Sequence, residues 1–228
     1  VFIIMVQISP KAFFFDFDGV ICDTEKLHML AALYVLKPHE IKFTENYYFE
    51  KLFGYDDKGL FEHLFESTGQ KLNKETLKQL ITEKNTVFMD QIESAIIYFD
   101  GVVELIQSLH AKSIPLAVVS GALSQEVEAC LKKGKLDRYF QFTVCADNVS
   151  RSKPHPECYM TAYQKMLANI PGLLPDDCWA IEDSPMGIES AVGAGLNVIG
   201  ITNTTAAPVL SVADYVIDHY REIEIKTP

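Results

Sequence analysis

A chain of 228 residues, 48% hydrophobic and 22% charged, has the make-up of a folded globular protein with no low-complexity arm, and its length admits either one large domain or one domain carrying a smaller insert. The 31 acidic residues outnumber the 20 basic ones and give a net charge of -11, which argues against nucleic acid and anionic membrane as partners, because both reward basic surfaces. An anionic small molecule remains open, provided that a local cation or metal receives it.

The opening run Val1 to Val6 is apolar, lacks a basic leader and falls far short of the ~20 residues of a membrane span, so no targeting signal is read there. No Met precedes Met5, which leaves the start of translation open. From Lys11 the chain reads KAFFFDFDG, a continuous apolar run that fits a strand buried on both faces, followed by a turn. Thr24 to Phe99 then offers no convincing strand but several helical stretches, Thr24–Leu36, Lys58–Ser67 and Lys74–Glu93 among them. After Phe99-Asp100-Gly101, strand-like runs at Pro115–Ser120, Phe142–Cys145, Cys178–Ile181, Asn197–Ile201 and Ala213–Ile217 alternate with helical stretches. The latter are Gly101–Ala111, Ser124–Lys132, Pro156–Ala168, Pro185–Ala194 and Ala206–Leu210. This alternation predicts an α/β fold, a doubly wound parallel sheet formed by residues 1–23 and 96–228, with an all-helical domain inserted at 24–95. No internal repeat is present. The five cysteines, Cys22, Cys130, Cys145, Cys158 and Cys178, show no CxxC spacing and read as reduced intracellular thiols, so the chain is expected in the cytoplasm.

Ligand sites in such sheets lie at the carboxyl ends of the strands, and four features fall there. Asp16 and Asp18 end the first strand on the same side of an extended chain; two such acids repel unless a cation neutralises them, which suits Mg²⁺, a hard ion that takes oxygen ligands. A capped turn with solvated acids would look the same. Ser120-Gly121 closes PLAVVS and offers a hydroxyl and backbone N–H groups to a phosphate, although a Ser-Gly after a strand is also an ordinary turn. Lys153 sits among Ser152-Lys153-Pro154-His155-Pro156, where prolines restrict its placement; an exposed loop charge is the alternative. Glu182-Asp183-Ser184 forms a second acidic pair that could complete a metal site, or simply cap the helix opened by Pro185-Met186-Gly187. Together the four supply nucleophile, acid, phosphate binder, cation and metal ligands, which no single one of them establishes.

The ordered set DFDGVICDTE (Asp16–Glu25), Ser120 in VVSGA, Lys153 in SKPHP and EDSPMGIESAVGAG (Glu182–Gly195) resembles the haloacid dehalogenase-like hydrolases, in the branch of β-phosphoglucomutase and small sugar-phosphate phosphatases with a helical cap. The resemblance covers nearly the whole chain. It implies that Asp16 attacks phosphorus to form an aspartyl-phosphate, while Asp18 protonates the leaving alkoxide and then activates water. It also implies that Ser120, Gly121 and Lys153 hold the phosphoryl group. Mg²⁺ would lie on the Asp16 carboxylate, the Asp18 carbonyl and Asp183, with Glu182 a direct or outer ligand. The inserted helices correspond to a mobile cap that selects the substrate, with His28, Lys84 and Asn85 as substrate-binding candidates.

One departure bears on function. Where mutases of this branch carry a phosphate-gripping Arg, this chain reads Gly54-Tyr55-Asp56-Asp57-Lys58-Gly59, and Lys58 is no bidentate substitute. A phosphatase of a small phosphorylated metabolite is therefore expected ahead of a hexose-phosphate mutase. A non-catalytic relative would have been free to lose Asp16, Asp18, Lys153 or Asp183. Dehalogenase chemistry does not need Asp18, and phosphonatases replace it with a small residue. A monomer is the expected state.

Overall fold

The computed structural model describes residues 5–53 and 55–226, so Gly54 and the first four residues of the apolar opening run lie outside it. The chain divides into two compact units, one made of the residues up to Asp23 and from Ile97 on, the other of Thr24–Ile96. Ile96 thus falls with the helical unit.

The first unit is built on a six-stranded parallel sheet. Its strands are β2 (Ala12–Phe15), β5 (Leu116–Val119), β6 (Phe142–Val144), β7 (Cys178–Glu182), β8 (Asn197–Ile201) and β9 (Tyr215–Ile217), in the order β6-β5-β2-β7-β8-β9. β2 lies between β5 and β7, and its four residues AFFF are all buried, which is why the run shows no polar alternation. Complete burial contributes roughly 1.5–3 kcal/mol per phenylalanine. The crossover helices α5 (Val102–Ala111), α6 (Ser124–Lys133), α7 (Glu157–Asn169) and α8 (Pro185–Gly193) cover the sheet. Phe14, Ala117, Val144 and Val198 share one core with Tyr159, Ala162 and Met166 of α7 and Ile188 of α8.

Two short strand pairs and one helical turn depart from the sequence reading. β1 (Val6–Ile8) pairs in parallel with β10 (Ile223–Ile225). β3 (Cys22–Asp23) pairs antiparallel with β4 (Ile97–Tyr98), a strand inside the stretch read as strandless; two residues are too few to set a period. Ala207–Leu210 is a single 3₁₀ turn rather than an α-helix, because Pro208 removes a donor and the segment is only one turn long. All five cysteines are buried free thiols.

The second unit holds α1 (Glu25–Leu36), the one-turn α2 (Glu45–Tyr47) running into a π-helical turn at Tyr48–Leu52, α3 (Asp57–Ser67) and α4 (Lys74–Ala95). Asp56 and Asn73 cap α3 and α4 by accepting from the N–H groups of Gly59 and Thr76, at 2.7 and 2.8 Å. Met29, Ala32 and Leu36 of α1, Phe61, Leu64 and Phe65 of α3 and Leu80 of α4 form its core. Among the described residues no helix is long and apolar enough to cross a membrane.

Candidate active site

The turn after β2 is fixed by its backbone. The Phe17 carbonyl accepts from the N–H groups of Ile21 and Cys22 at 2.8 and 3.1 Å, and Gly19 adopts a positive φ of 80°. A side chain at Gly19 would also collide with the Asp183 carboxylate, so glycine is required on two counts. Asn203, just beyond β8, donates to the Gly19 carbonyl at 2.8 Å and to the Tyr220 hydroxyl at 2.8 Å, and that hydroxyl donates to the carbonyl of Val20. The loop bearing Asp16 and Asp18 is thereby tied to the far end of the chain.

Asp16, Glu182 and Asp183 converge from the ends of β2 and β7, which are neighbours in register, with Phe15 opposite Ile181. One oxygen from each lies within 4.8 Å of the others, and all three residues are buried. Lys153 reaches them from the loop before α7. Its ammonium donates to Asp16 Oδ1 at 2.7 Å, to Glu182 Oε1 at 2.6 Å and to the Val119 carbonyl at 3.0 Å. That loop is anchored in turn by Ser190 of α8, whose hydroxyl donates to the His155 carbonyl at 2.8 Å.

The electrostatics follow from this packing. Burial pushes the Glu182 carboxyl up to about 7, with the nearby charge of Asp16 adding to the rise and Lys153 opposing it. Burial likewise raises Asp183 well above the usual carboxylate range, reinforced by Asp16 and Glu182. Burial works to lower Lys153, but Asp16 and Glu182 outweigh it and hold the ammonium charged. Three carboxylates against one ammonium leave two uncompensated negative charges, which one divalent cation would cancel. A hard ion with oxygen bonds of about 2.1 Å spans about 4.2 Å between opposite ligands, close to the size of this donor set. Residues and charge therefore both fit such a cation.

Glu182 is the most constrained of the three. Its Oε1 accepts from Lys153 and, at 2.7 Å, from the Tyr159 hydroxyl, and its other oxygen lies against Gly187 in the first turn of α8. Alanine at 187 would ordinarily favour a helix, but here its Cβ would meet a carboxylate held on its other side by two donors. Gly187→Ala is expected to cost about 2 kcal/mol or more of stability, measurable by urea unfolding, as overpacking of a fixed neighbour does.

Asp18 is partly exposed, and the Ser120 hydroxyl lies 3.5 Å from its Oδ2 while accepting from the Ala122 N–H at 3.0 Å. Gly121 is exposed beside it. Ser184, not Asp183, caps α8, accepting from the Gly187 N–H at 3.1 Å, which leaves Asp183 free of capping; it takes a hydrogen bond from Thr204 instead.

In the helical unit Lys84 is buried, and its ammonium contacts the Asp57 carboxylate and donates to His28 Nδ1 at 2.9 Å. Burial and the neighbouring ammonium lower the His28 pKa well below its ordinary value, so the ring is neutral and accepts. It also stacks on Phe88, with centroids 4.0 Å apart. Asn85 Oδ1 is buried and has no hydrogen-bond partner among the described residues.

Tyr159, Thr204, Asn203 and the pairing of Asp57 were not read from the sequence. A signal existed for three of them. A tyrosine on the sheet-facing side of α7 needs a partner for its hydroxyl, and Thr202-Asn203-Thr204 is a polar run at the same strand edge as the four features found.

The chain is similar to the phosphorylated carbohydrates phosphatase of Thermotoga maritima, 28% identical over 190 residues that cover 83% of each chain. It is also similar to fructose-1-phosphate phosphatase YqaB of Escherichia coli, 29% identical over 188 residues, 82% of this chain and 94% of that one. A β-phosphoglucomutase structure from Clostridium difficile shares the fold with a TM-score of 0.78 at 23% identity, over 94% of this chain and 93% of that one. The family model for haloacid dehalogenase-like hydrolases matches residues 13–201, the span that carries every carboxylate and lysine of the site just described, and the chain belongs to that family.

Proposed function

We propose that this protein is a Mg²⁺-dependent phosphatase of a small phosphorylated metabolite, a sugar phosphate or a close analogue, working through an aspartyl-phosphate on Asp16. The observation that carries the reading is the Lys153 ammonium bridging Asp16 and Glu182 beside Asp183, at adjoining strand ends. The names of its phosphatase relatives point the same way.

An Asp16 oxygen forms a bond to phosphorus as the ester oxygen leaves, and Asp18 gives that oxygen its proton. Asp18, now a carboxylate, takes a proton from water; the water oxygen bonds to phosphorus and the Asp16–phosphorus bond breaks, releasing inorganic phosphate. Lys153, the Ser120 hydroxyl and the Gly121 N–H group hold the phosphoryl oxygens, and Lys153 also restrains the Asp16 carboxylate in line. Held by the Asp16 and Asp183 carboxylates and the Asp18 carbonyl, Mg²⁺ would neutralise charge on the transferring group. Glu182, with one oxygen already accepting from two donors, serves Lys153 more directly than the metal.

Substrate selection is assigned to His28, Lys84 and Asn85. Lys84 already has Asp57 as its counter-ion, so this cluster suits the hydroxyls of a sugar better than a second phosphate. Asp57 is thus a partner of Lys84 as well as the residue standing where mutases carry Arg.

A panel of phosphorylated metabolites, followed for both phosphate release and isomer formation, tests the reading: phosphate should accumulate without isomerised sugar phosphate. Conversion of β-glucose 1-phosphate to glucose 6-phosphate with negligible phosphate release would make the protein a mutase. Lys84→Met, which keeps the buried volume, is expected to raise KM for the best sugar phosphate about tenfold, the loss of one hydrogen bond from a charged donor. Its kcat/KM for p-nitrophenyl phosphate should stay within about twofold, since aryl turnover depends on the sheet-edge residues alone.

A further inference from the structure

We infer that Tyr159 is a positioning residue for phosphoryl transfer, acting through Glu182 to fix where the Lys153 ammonium sits; the inference rests on the phosphatase reading above. Tyr159 lies on α7, is fully buried, and belongs to the apolar core beneath the sheet. Its ring is packed there, yet its hydroxyl points to one of the two carboxylates that hold Lys153. The phenol donates to Glu182 Oε1 at 2.7 Å, the same oxygen that accepts from Lys153 at 2.6 Å. The ammonium also stands 5.1 Å from the centroid of the Tyr159 ring.

Two effects follow from one side chain. Glu182 is fully buried, so an unrestrained carboxylate would turn to whatever donor or cation its surroundings offer, including a cation shared with Asp183. Oε1 is shared by phenol and ammonium, the other oxygen lies 3.4 Å from the Ser184 hydroxyl, and the carboxylate packs against Gly187, so its orientation is held through both oxygens. Because the shared oxygen divides its attraction between two donors, it pairs less strongly with Lys153 alone. The ammonium then remains directed to Asp16 Oδ1 at 2.7 Å, where the transferring group must arrive. The aromatic face lies on the remaining flank of the cation, and a ring there attracts it without offering a lone pair to compete for its protons.

Tyr159→Phe keeps the ring and removes only the donor, so it separates positioning from packing. The parent is first assayed with Mg²⁺ and p-nitrophenyl phosphate; a parent that releases no phosphate refutes the phosphatase reading itself, and the inference falls with it. Given an active parent, Tyr159→Phe is expected to melt within about 5 °C of it and to lose about tenfold in kcat with KM within about twofold, the size of effect one misplaced contact gives in the transition state alone. In a Glu182→Gln background the same change should alter kcat by less than about twofold, because the residue through which it acts is already disabled. Site-specific 3-fluorotyrosine at 159, which retains the donor, should restore kcat to within about twofold of the parent. A Phe variant that keeps the parent's kcat, one that fails to fold, or a full tenfold loss persisting in the Glu182→Gln background would each overturn the assignment.

Discussion

Asp16→Asn should abolish turnover, with kcat falling by about 10⁴-fold or more, the scale seen when a covalent nucleophile is removed. The amide keeps the shape of the side chain but cannot form the acyl phosphate. The fold should survive, since Lys153 keeps Glu182 as its counter-ion and one of three mutually repelling carboxylates has been removed. Circular dichroism and melting temperature should match the parent or exceed it. Acid-quench experiments with ³²P-labelled substrate should trap protein-bound phosphate in the parent and none in the variant. Activity near the parent's would eliminate covalent catalysis at this residue.

Removing metal should be comparably severe. EDTA is expected to reduce activity to below about 1% of the starting value, with full recovery on adding Mg²⁺ and none with Ca²⁺, whose larger and looser coordination shell misplaces nucleophile and phosphate. A calorimetric readout needs no turnover. The carboxyls of Glu182 and Asp183 bind protons more tightly in the folded protein than in the unfolded chain, where Glu ionises near 4.3 and Asp near 3.9. Metal-free protein should therefore lose stability as pH rises from the unfolded values through the folded ones, across about pH 4 to beyond 7, because each lost proton leaves a charge the folded site accommodates poorly. Mg²⁺ should raise the melting temperature most at the upper end of that range, where it replaces departing protons. A metal-free melting temperature that rose from pH 5.5 to 8, or activity unaffected by EDTA, would overturn the site.

The sheet was legible because each of its strands is a short apolar run with punctuation at both ends. AFFF, LAVV and NVIGI needed nothing beyond hydrophobicity and length, and their order along the chain forced parallel pairing through helices. The acids and Lys153 were legible for a related reason: in a parallel sheet every strand delivers its last residue to the same edge, so linear position encodes spatial convergence. That logic stops where partners come from elsewhere. Tyr159 was hidden because an aromatic on a buried helical face looks like core, and it is core in all but one atom. The β1–β10 pair joins three residues to three others 217 positions away, too little chain for any period to show. Asp57 read only as part of a loop that lacks the Arg, since nothing in the sequence places it against a lysine 27 residues later.

The clamp of Asn203 and Tyr220 on the loop carrying Asp16 and Asp18 has a consequence for how the protein is made. β2 precedes its partners in the sheet, so it cannot be flanked by β5 until residue 119 has left the ribosome nor by β7 until residue 182 has, and the turn after it cannot be secured until residue 220 follows. The helical unit, whose partners lie within 73 consecutive residues, has no such wait and can condense while the rest is still being translated. Between the emergence of β2 and that of β5 the nascent chain therefore displays an unpaired, wholly apolar strand followed by two acids, and the turn that carries those acids is tied down only after all six strands of the sheet have been made.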